Sequence, residues 1–152
     1  MINIMFVCHG NICRSTMAEF VLKDMVKKKN LDNKFNIASS ATSREEIGND
    51  THYGTKQKLR EMNIPFTPRK AVQITKADYD KYDYILCMDK NNIRNISRII
   101  PNDKDSKIKL LLDFSQNPRS IADPWYTGNF DETYDDILEG CECLLKHIEE
   151  NL

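Results

Sequence analysis

One stretch of eight residues, Cys8-His9-Gly10-Asn11-Ile12-Cys13-Arg14-Ser15, constrains this chain more than any other. An apolar run, Ile2 to Val7, precedes it. Such a run before a glycine-containing turn predicts a buried strand. Ala18, Val21, Leu22, Met25 and Val26 follow at helical spacing. Thr16 and Glu19 fit a capping box, which predicts a helix starting near Ser15. Strand, loop and helix in that order begin a βαβ unit.

The rest of the chain continues the alternation. Strands are predicted at 35–39, 83–88 and 108–112, with helices at 51–62 and through Ile93, Ile96 and Ile100. Residues 113–128 are polar and hold Pro118, Pro124 and Gly128, so they read as a long functional loop. A final amphipathic helix runs through Phe130, Tyr134, Ile137, Cys141, Leu145 and Ile148, with Asn129 as its cap. Alternation of this kind predicts an α/β fold: a four-stranded parallel sheet with helices on both faces. Ligands in such folds bind beyond the carboxyl ends of the strands, where the turn after strand one and Asp89 both fall. At 152 residues, 1–152 reads as a single domain.

The residue types between Cys8 and Ser15 suit an oxyanion. A loop wrapped around an anion turns its N–H groups inward, and the helix behind it adds its positive end. Gly10 and Asn11 tolerate the left-handed backbone that such a loop needs. The Arg14 guanidinium can fork two hydrogen bonds onto phosphate oxygens. A thiol at the floor of a positive site is favoured as the thiolate, a nucleophile aimed at phosphorus. Ser15 can donate to that sulfur. The spacing alone is also compatible with a buried structural Cys8 and a surface Arg14.

Bulk properties exclude several classes. The net charge is −1, which gives no strong pull toward nucleic acid or a membrane surface. Lys27 to Lys29 reads as a solvated helix end. The opening residues lack a basic leader, and no apolar run is long enough to span a bilayer. Five cysteines, an odd number, do not suggest a disulfide framework, so a cytoplasmic location is expected. Cys87, Cys141 and Cys143 read as core or helix residues, and Cys141-Glu142-Cys143 is poor zinc spacing, with no histidine pair beside it. His52 and His147 read as solvated.

Residues 7–19, Val-Cys-His-Gly-Asn-Ile-Cys-Arg-Ser-Thr-Met-Ala-Glu, resemble the signature of low-molecular-weight protein tyrosine phosphatases. The likeness continues through 39–43, 46–49, 73–78, 83–89 and Asp123-Pro124-Trp125-Tyr126, nearly the whole chain. It implies hydrolysis of phosphotyrosine in proteins, or of small aryl phosphates, through a phosphocysteine on Cys8, with no metal or other cofactor. Residues 8–15 become the phosphate-binding loop. Asp123, which alone reads equally as an Asp-Pro turn, becomes the general acid. The resemblance makes Trp125 a cleft wall, and Tyr126 borders the pocket with it. Asn11, Ser15 and Ser39 become loop braces. Asp89 matches an acidic position at the mouth, though it suits a helix cap equally. The resemblance also suggests a reversible Cys8–Cys13 disulfide, where Cys13 otherwise reads as packing.

Three positions depart from that family. Arg69 stands where many relatives carry a bracing histidine, which puts this part of the network in question. Glu45 stands where an aromatic often forms the opposite wall, which predicts weaker binding of acidic than of basic phosphopeptides. Thr16 replaces the usual proline. Arsenate reduction and phosphoarginine hydrolysis are rival activities on the same fold. The first needs two further cysteines close together, and only Cys87 is near. The second tends to place threonine where Ile12 stands. A non-catalytic anion-binding module is a third alternative, against which Cys8, Arg14 and Asp123 together argue.

Overall fold

The computed structural model describes residues 1–152. Four strands form one sheet: β1 (Ile2–Cys8), β2 (Phe35–Ala41), β3 (Tyr84–Cys87) and β4 (Ile108–Leu110). They lie in the order β2-β1-β3-β4, and every pairing is parallel. Six helices connect and cover them: α1 (Arg14–Lys28), α2 (Tyr53–Glu61), α3 (Asp78–Lys81), α4 (Lys90–Ile96), α5 (Pro124–Thr127) and α6 (Phe130–Glu150). Short 3-10 turns occupy Asp32–Lys34 and Leu111–Phe114.

The period of two along β1 divides the core. Ile4, Phe6 and Cys8 pack on one face with Met17, Val21, Leu22, Ile137, Cys141 and Leu144 of α1 and α6. Met5 and Val7 pack on the other with Ile85, Cys87, Tyr79, Tyr82, Ile96 and Ile100. The chain leaves β1 toward β2 on one side, and β3 lies on the other. A crevice therefore opens at the carboxyl ends of β1 and β3, with Cys8 at one lip and Asp89 just beyond the other.

Several expected boundaries shift for local reasons. The Thr16–Glu19 capping box does not form. The helix starts at Arg14, and Thr16 Oγ1 donates back to the carbonyls of Ile12 and Cys13 at 3.1 and 3.0 Å. Glu19 is taken by Ser39 and Lys23 instead. The second helix begins at Tyr53 because His52 caps it, accepting from the Gly54 N–H at 3.0 Å. His52 is thus partly buried rather than solvated, whereas His147 is exposed. The fourth strand stops at Leu110, where Asp113 turns the chain by accepting from the Leu110 N–H. The long loop contains α5, and α3 was not anticipated. The α4 helix ends at Ile96, although Ile100 still reaches the core.

Gly140 marks the tightest approach of α6 to the turn after β4. A Cβ there would lie 2.5 Å from Leu111 Cγ, and Leu111 is fully buried. Gly140→Ala gains about 1 kcal/mol of helix propensity. Overpacking a core contact of this kind costs about 1–3 kcal/mol, so net destabilisation is expected as a lower urea midpoint with an unchanged slope.

Candidate active site

Four backbone carbonyls tie the Cys8–Ser15 loop to its surroundings. Thr42 N–H donates to Cys8 O at 2.9 Å, Ser43 N–H to His9 O at 3.0 Å, and His52 N–H to Ile12 O at 2.8 Å. Cys13 O accepts from Met17 N–H and from the Thr16 and Thr55 hydroxyls. The loop reverses direction at Asn11, which has φ = 62° and no exposed surface. This is the left-handed region, where asparagine is among the few residues admitted at low cost.

Every polar group on Asn11 is used. Its N–H points at Cys8 Sγ, 3.4 Å away. Its Nδ2 donates to Ser15 Oγ at 2.8 Å and to Ser39 Oγ at 2.9 Å. That leaves each serine one proton. Ser39 gives its own to Glu19 Oε1 at 2.5 Å. Ser15 Oγ lies 3.1 Å from Cys8 Sγ, so its proton is left for the sulfur. The buried Cys8 sulfur therefore faces the Asn11 N–H and the Ser15 hydroxyl together.

Arg69 completes the brace. Its NH1 donates to Asn11 O at 3.1 Å, and its NH2 donates to Asn11 Oδ1 at 2.9 Å. Val72 N–H meets the same Oδ1 at 3.2 Å, and Arg69 Nε lies 3.8 Å from Glu19. The departure from histidine therefore leaves the network closed, by a longer side chain. Glu19 and Arg69 are members that sequence reasoning did not assign. The signal for Glu19 was its place in the signature, which helix capping seemed to explain.

Arg14 is 2% exposed and lies among carboxylates. Its NH1 donates to Asp89 Oδ2 at 2.6 Å and to Ile121 O at 2.8 Å, and its NH2 is 3.4 Å from Asp123 Oδ2. Burial works against this charge, but Cys8, Asp123 and Asp89 outweigh it and raise the group above the ordinary guanidinium value. Its Nε is buried and has no protein partner, which leaves one donor for an incoming oxyanion. Asp89 has two partners. It caps α4 by accepting from Asn92 N–H, and it holds Arg14.

Asp123 caps α5, its Oδ1 accepting from Trp125 N–H at 3.1 Å. The preceding segment is anchored at several points: Ile121 N–H donates to Met88 O, the Thr133 hydroxyl to Ala122 O, and Arg119 forms ion pairs with Asp136 and Glu139. Arg119, then Ser115, holds the Glu139 carboxyl at about 2, below the usual range.

Cys8, Cys13, Arg14 and Asp123 meet in a cleft of about 110 Å³ with Ile12, Trp125 and Tyr126 on its walls. Glu45 lies on the rim, 3.0 Å from His9 Nε2, and both side chains are well exposed. Glu46 lines the cleft too. It packs over Gly10, where a Cβ would sit 3.2 Å from Glu46 Cγ. Asn11, Ser15, Ser39 and Asp89 stand behind the lining. Burial, then the neighbouring Cys8, pushes the Cys13 thiol up to about 12. Cys87 and Cys141 are buried core residues whose thiols burial pushes up, and Cys143 is partly exposed on α6. No group of three or more His, Cys, Asp or Glu is gathered to hold a metal ion, and no helix is long and apolar enough to cross a membrane.

Residues 3–152 match the family described as low molecular weight phosphotyrosine protein phosphatase. The low molecular weight protein-tyrosine-phosphatase YfkJ of Bacillus subtilis is 41% identical over 151 residues, covering 98% of this chain and 97% of the relative. Its crystal structure has a TM-score of 0.95 against this chain, at 40% identity over 99% and 96% of the two chains. The low molecular weight protein tyrosine phosphatase from Streptococcus pyogenes gives 0.87 at 39% identity, covering 97% and 93%. A Drosophila arginine phosphatase gives 0.86 at 29% identity, covering 95% and 96%.

Arg69→Met keeps the bulk of the stem but removes the donors to Asn11. Leaving Asn11 O unpaired, and Asn11 Oδ1 with Val72 N–H alone, is expected to cost about 1–3 kcal/mol of stability, read by urea unfolding, with kcat/KM for an aryl phosphate falling alongside.

Proposed function

The chain belongs to the low molecular weight phosphotyrosine protein phosphatase family, and from that premise we propose that it hydrolyses phosphotyrosine in proteins, and simple aryl phosphates, through a phosphocysteine on Cys8. The observation that carries this reading is Cys8 Sγ facing the Asn11 N–H and the Ser15 hydroxyl, beside a buried Arg14 with an uncommitted Nε. Residues 1–152 act as one phosphatase domain. No cofactor takes part, because the nucleophile, anion site and proton donor are all side chains of the chain itself. A reducing cytoplasm suits a nucleophile that must stay a free thiol.

In the first step the Cys8 thiolate attacks phosphorus, and the bond from phosphorus to the tyrosyl oxygen breaks. Phenol has a pKa near ~10, so its oxygen leaves best if protonated. Asp123 supplies that proton. In the free enzyme Asp123 faces Arg14. A phosphate dianion bound to Arg14 competes for the same cation, and a second negative charge beside the carboxyl favours its protonated form. In the second step water attacks the phosphocysteine, Asp123 takes its proton, and the S–P electrons return to sulfur. The Ser15 hydroxyl eases that departure, and inorganic phosphate leaves.

Trp125 and Tyr126 offer ring surface to a tyrosyl substrate, and Ile12 gives an apolar wall. That wall favours an aryl ester over phosphoarginine. Arsenate reduction stays behind, since Cys87 is buried and no second thiol accompanies it beside Asp89. Cys13 is the partner for an oxidised Cys8. Peroxide converts the Cys8 thiolate to sulfenic acid, and condensation with the Cys13 thiol forms the disulfide and releases water. With its thiol held at about 12, Cys13 does not compete as the first nucleophile at neutral pH.

Cys8→Ser is expected to abolish turnover. Asp123→Ala should slow phosphotyrosine hydrolysis by about 10²–10⁴-fold, and an activated ester such as p-nitrophenyl phosphate far less. Equal losses on the two substrates in steady-state kinetics would remove the acid role. Glu45→Lys should move peptide preference from basic toward acidic residues beside the phosphotyrosine, read as the ratio of kcat/KM for the two peptide classes; an unchanged ratio would reject the rim effect.

A further inference from the structure

His52 lies where three parts of the site meet. Its backbone N–H donates to Ile12 O in the phosphate-binding loop at 2.8 Å. Its Nδ1 accepts from Gly54 N–H at 3.0 Å, which caps α2 and assigns the ring proton to Nε2. Its ring stacks on Tyr53 at 4.4 Å between centroids and on Phe130, the first residue of α6, at 5.5 Å with planes 14° apart. Gly54 makes room for that stack. A Cβ on it would lie 2.4 Å from Phe130 Cζ. The remaining aromatic contact is with Trp125, edge-on at 5.7 Å and 74°.

Trp125 has little else to lean on. It is 57% exposed, and α5 has only four residues, of which Pro124 alone is buried. The turn is tied firmly before Asp123, by Ile121, Ala122 and Arg119. After Asp123, the His52 ring is the aromatic support. The backbone N–H of Trp125 also donates to Asp123 Oδ1, so a shift of the short α5 backbone that carries the Trp125 ring moves the carboxyl with it.

We propose that His52 is a positioning residue for the general acid. Its ring is the platform that fixes Trp125, and through Trp125 it sets the Asp123 carboxyl relative to the phosphate-binding loop. This rests on Asp123 being the acid. An acid out of line loses most on a poor leaving group, since an activated one departs without its proton.

Two variants separate the ring from the cap. His52→Asn retains an acceptor for Gly54 N–H but has no ring, and His52→Phe retains the ring but has no acceptor. His52→Asn should lower kcat for a phosphotyrosine peptide about tenfold more than for p-nitrophenyl phosphate. His52→Phe should recover most of that difference. Trp125 is the only tryptophan, so emission reads its environment directly. His52→Asn should shift emission to the red and increase acrylamide quenching, and His52→Phe should not. Equal losses on both substrates with unchanged emission, or a His52→Phe variant as selective in its loss as His52→Asn, would overturn the proposal. Asp123→Ala measured alongside separates the two readings. If it loses selectively on phosphotyrosine and His52→Asn does not, only the positioning role falls; if Asp123→Ala shows no selectivity, the acid assignment falls and takes this role with it.

Discussion

A sulfur anion buried in a protein must be met by donors, and Asn11 is the residue that arranges this. It reverses the chain in the left-handed region, so that its own N–H faces Cys8. It then spends both amide protons on Ser15 and Ser39. Those two bonds fix the direction of every hydrogen in the cluster: Ser39 gives to Glu19, and Ser15 gives to the sulfur. The Glu19 carboxyl at one end and the Cys8 sulfur at the other are joined through three neutral side chains, each with one way to point. Buried networks of this kind are stable only when every member is satisfied. The fold serves that requirement. Parallel pairing of β1 with β2 brings Ser39 level with Phe6, just behind the loop.

Arg14 is held differently, by competition. Asp89, Ile121 O and Asp123 surround it before any substrate arrives. This keeps a buried guanidinium compensated. It also ties the Asp123 carboxylate to the Arg14 guanidinium electrostatically, although the two residues lie far apart in sequence. An anion bound at Arg14, as proposed, would therefore change the surroundings of Asp123 as well.

What the sequence made legible was local. The Ile2–Val7 run, the loop and the α1 periodicity identify the strand-loop-helix unit because each signal lies within a few residues. The four parallel strands follow from simple alternation. Cys8, Arg14 and Asp123 come together in one cleft, as the resemblance implied. Glu19 was misread because S/T-x-x-E is a capping pattern, and only the β2 register reveals that Ser39 claims the carboxylate. Arg69 was flagged as a departure, but its reach of 58 residues back to Asn11 has no local sign. His52 looked like a solvated residue in a polar run, since its neighbours Phe130 and Trp125 lie more than 70 positions away. The short α3 and α5 helices have too few residues to show a period.

Arg69 sets how the cradle behaves as conditions change. An imidazole in its place would gain or lose charge close to neutrality, and the grip on Asn11 would change with it. A guanidinium offers no such second state. In a cell that drifts from neutral to mildly acidic, the scaffold around the sulfur keeps the same charge and the same donors. The brace on Asn11 therefore adds no acid-sensitive group at this position.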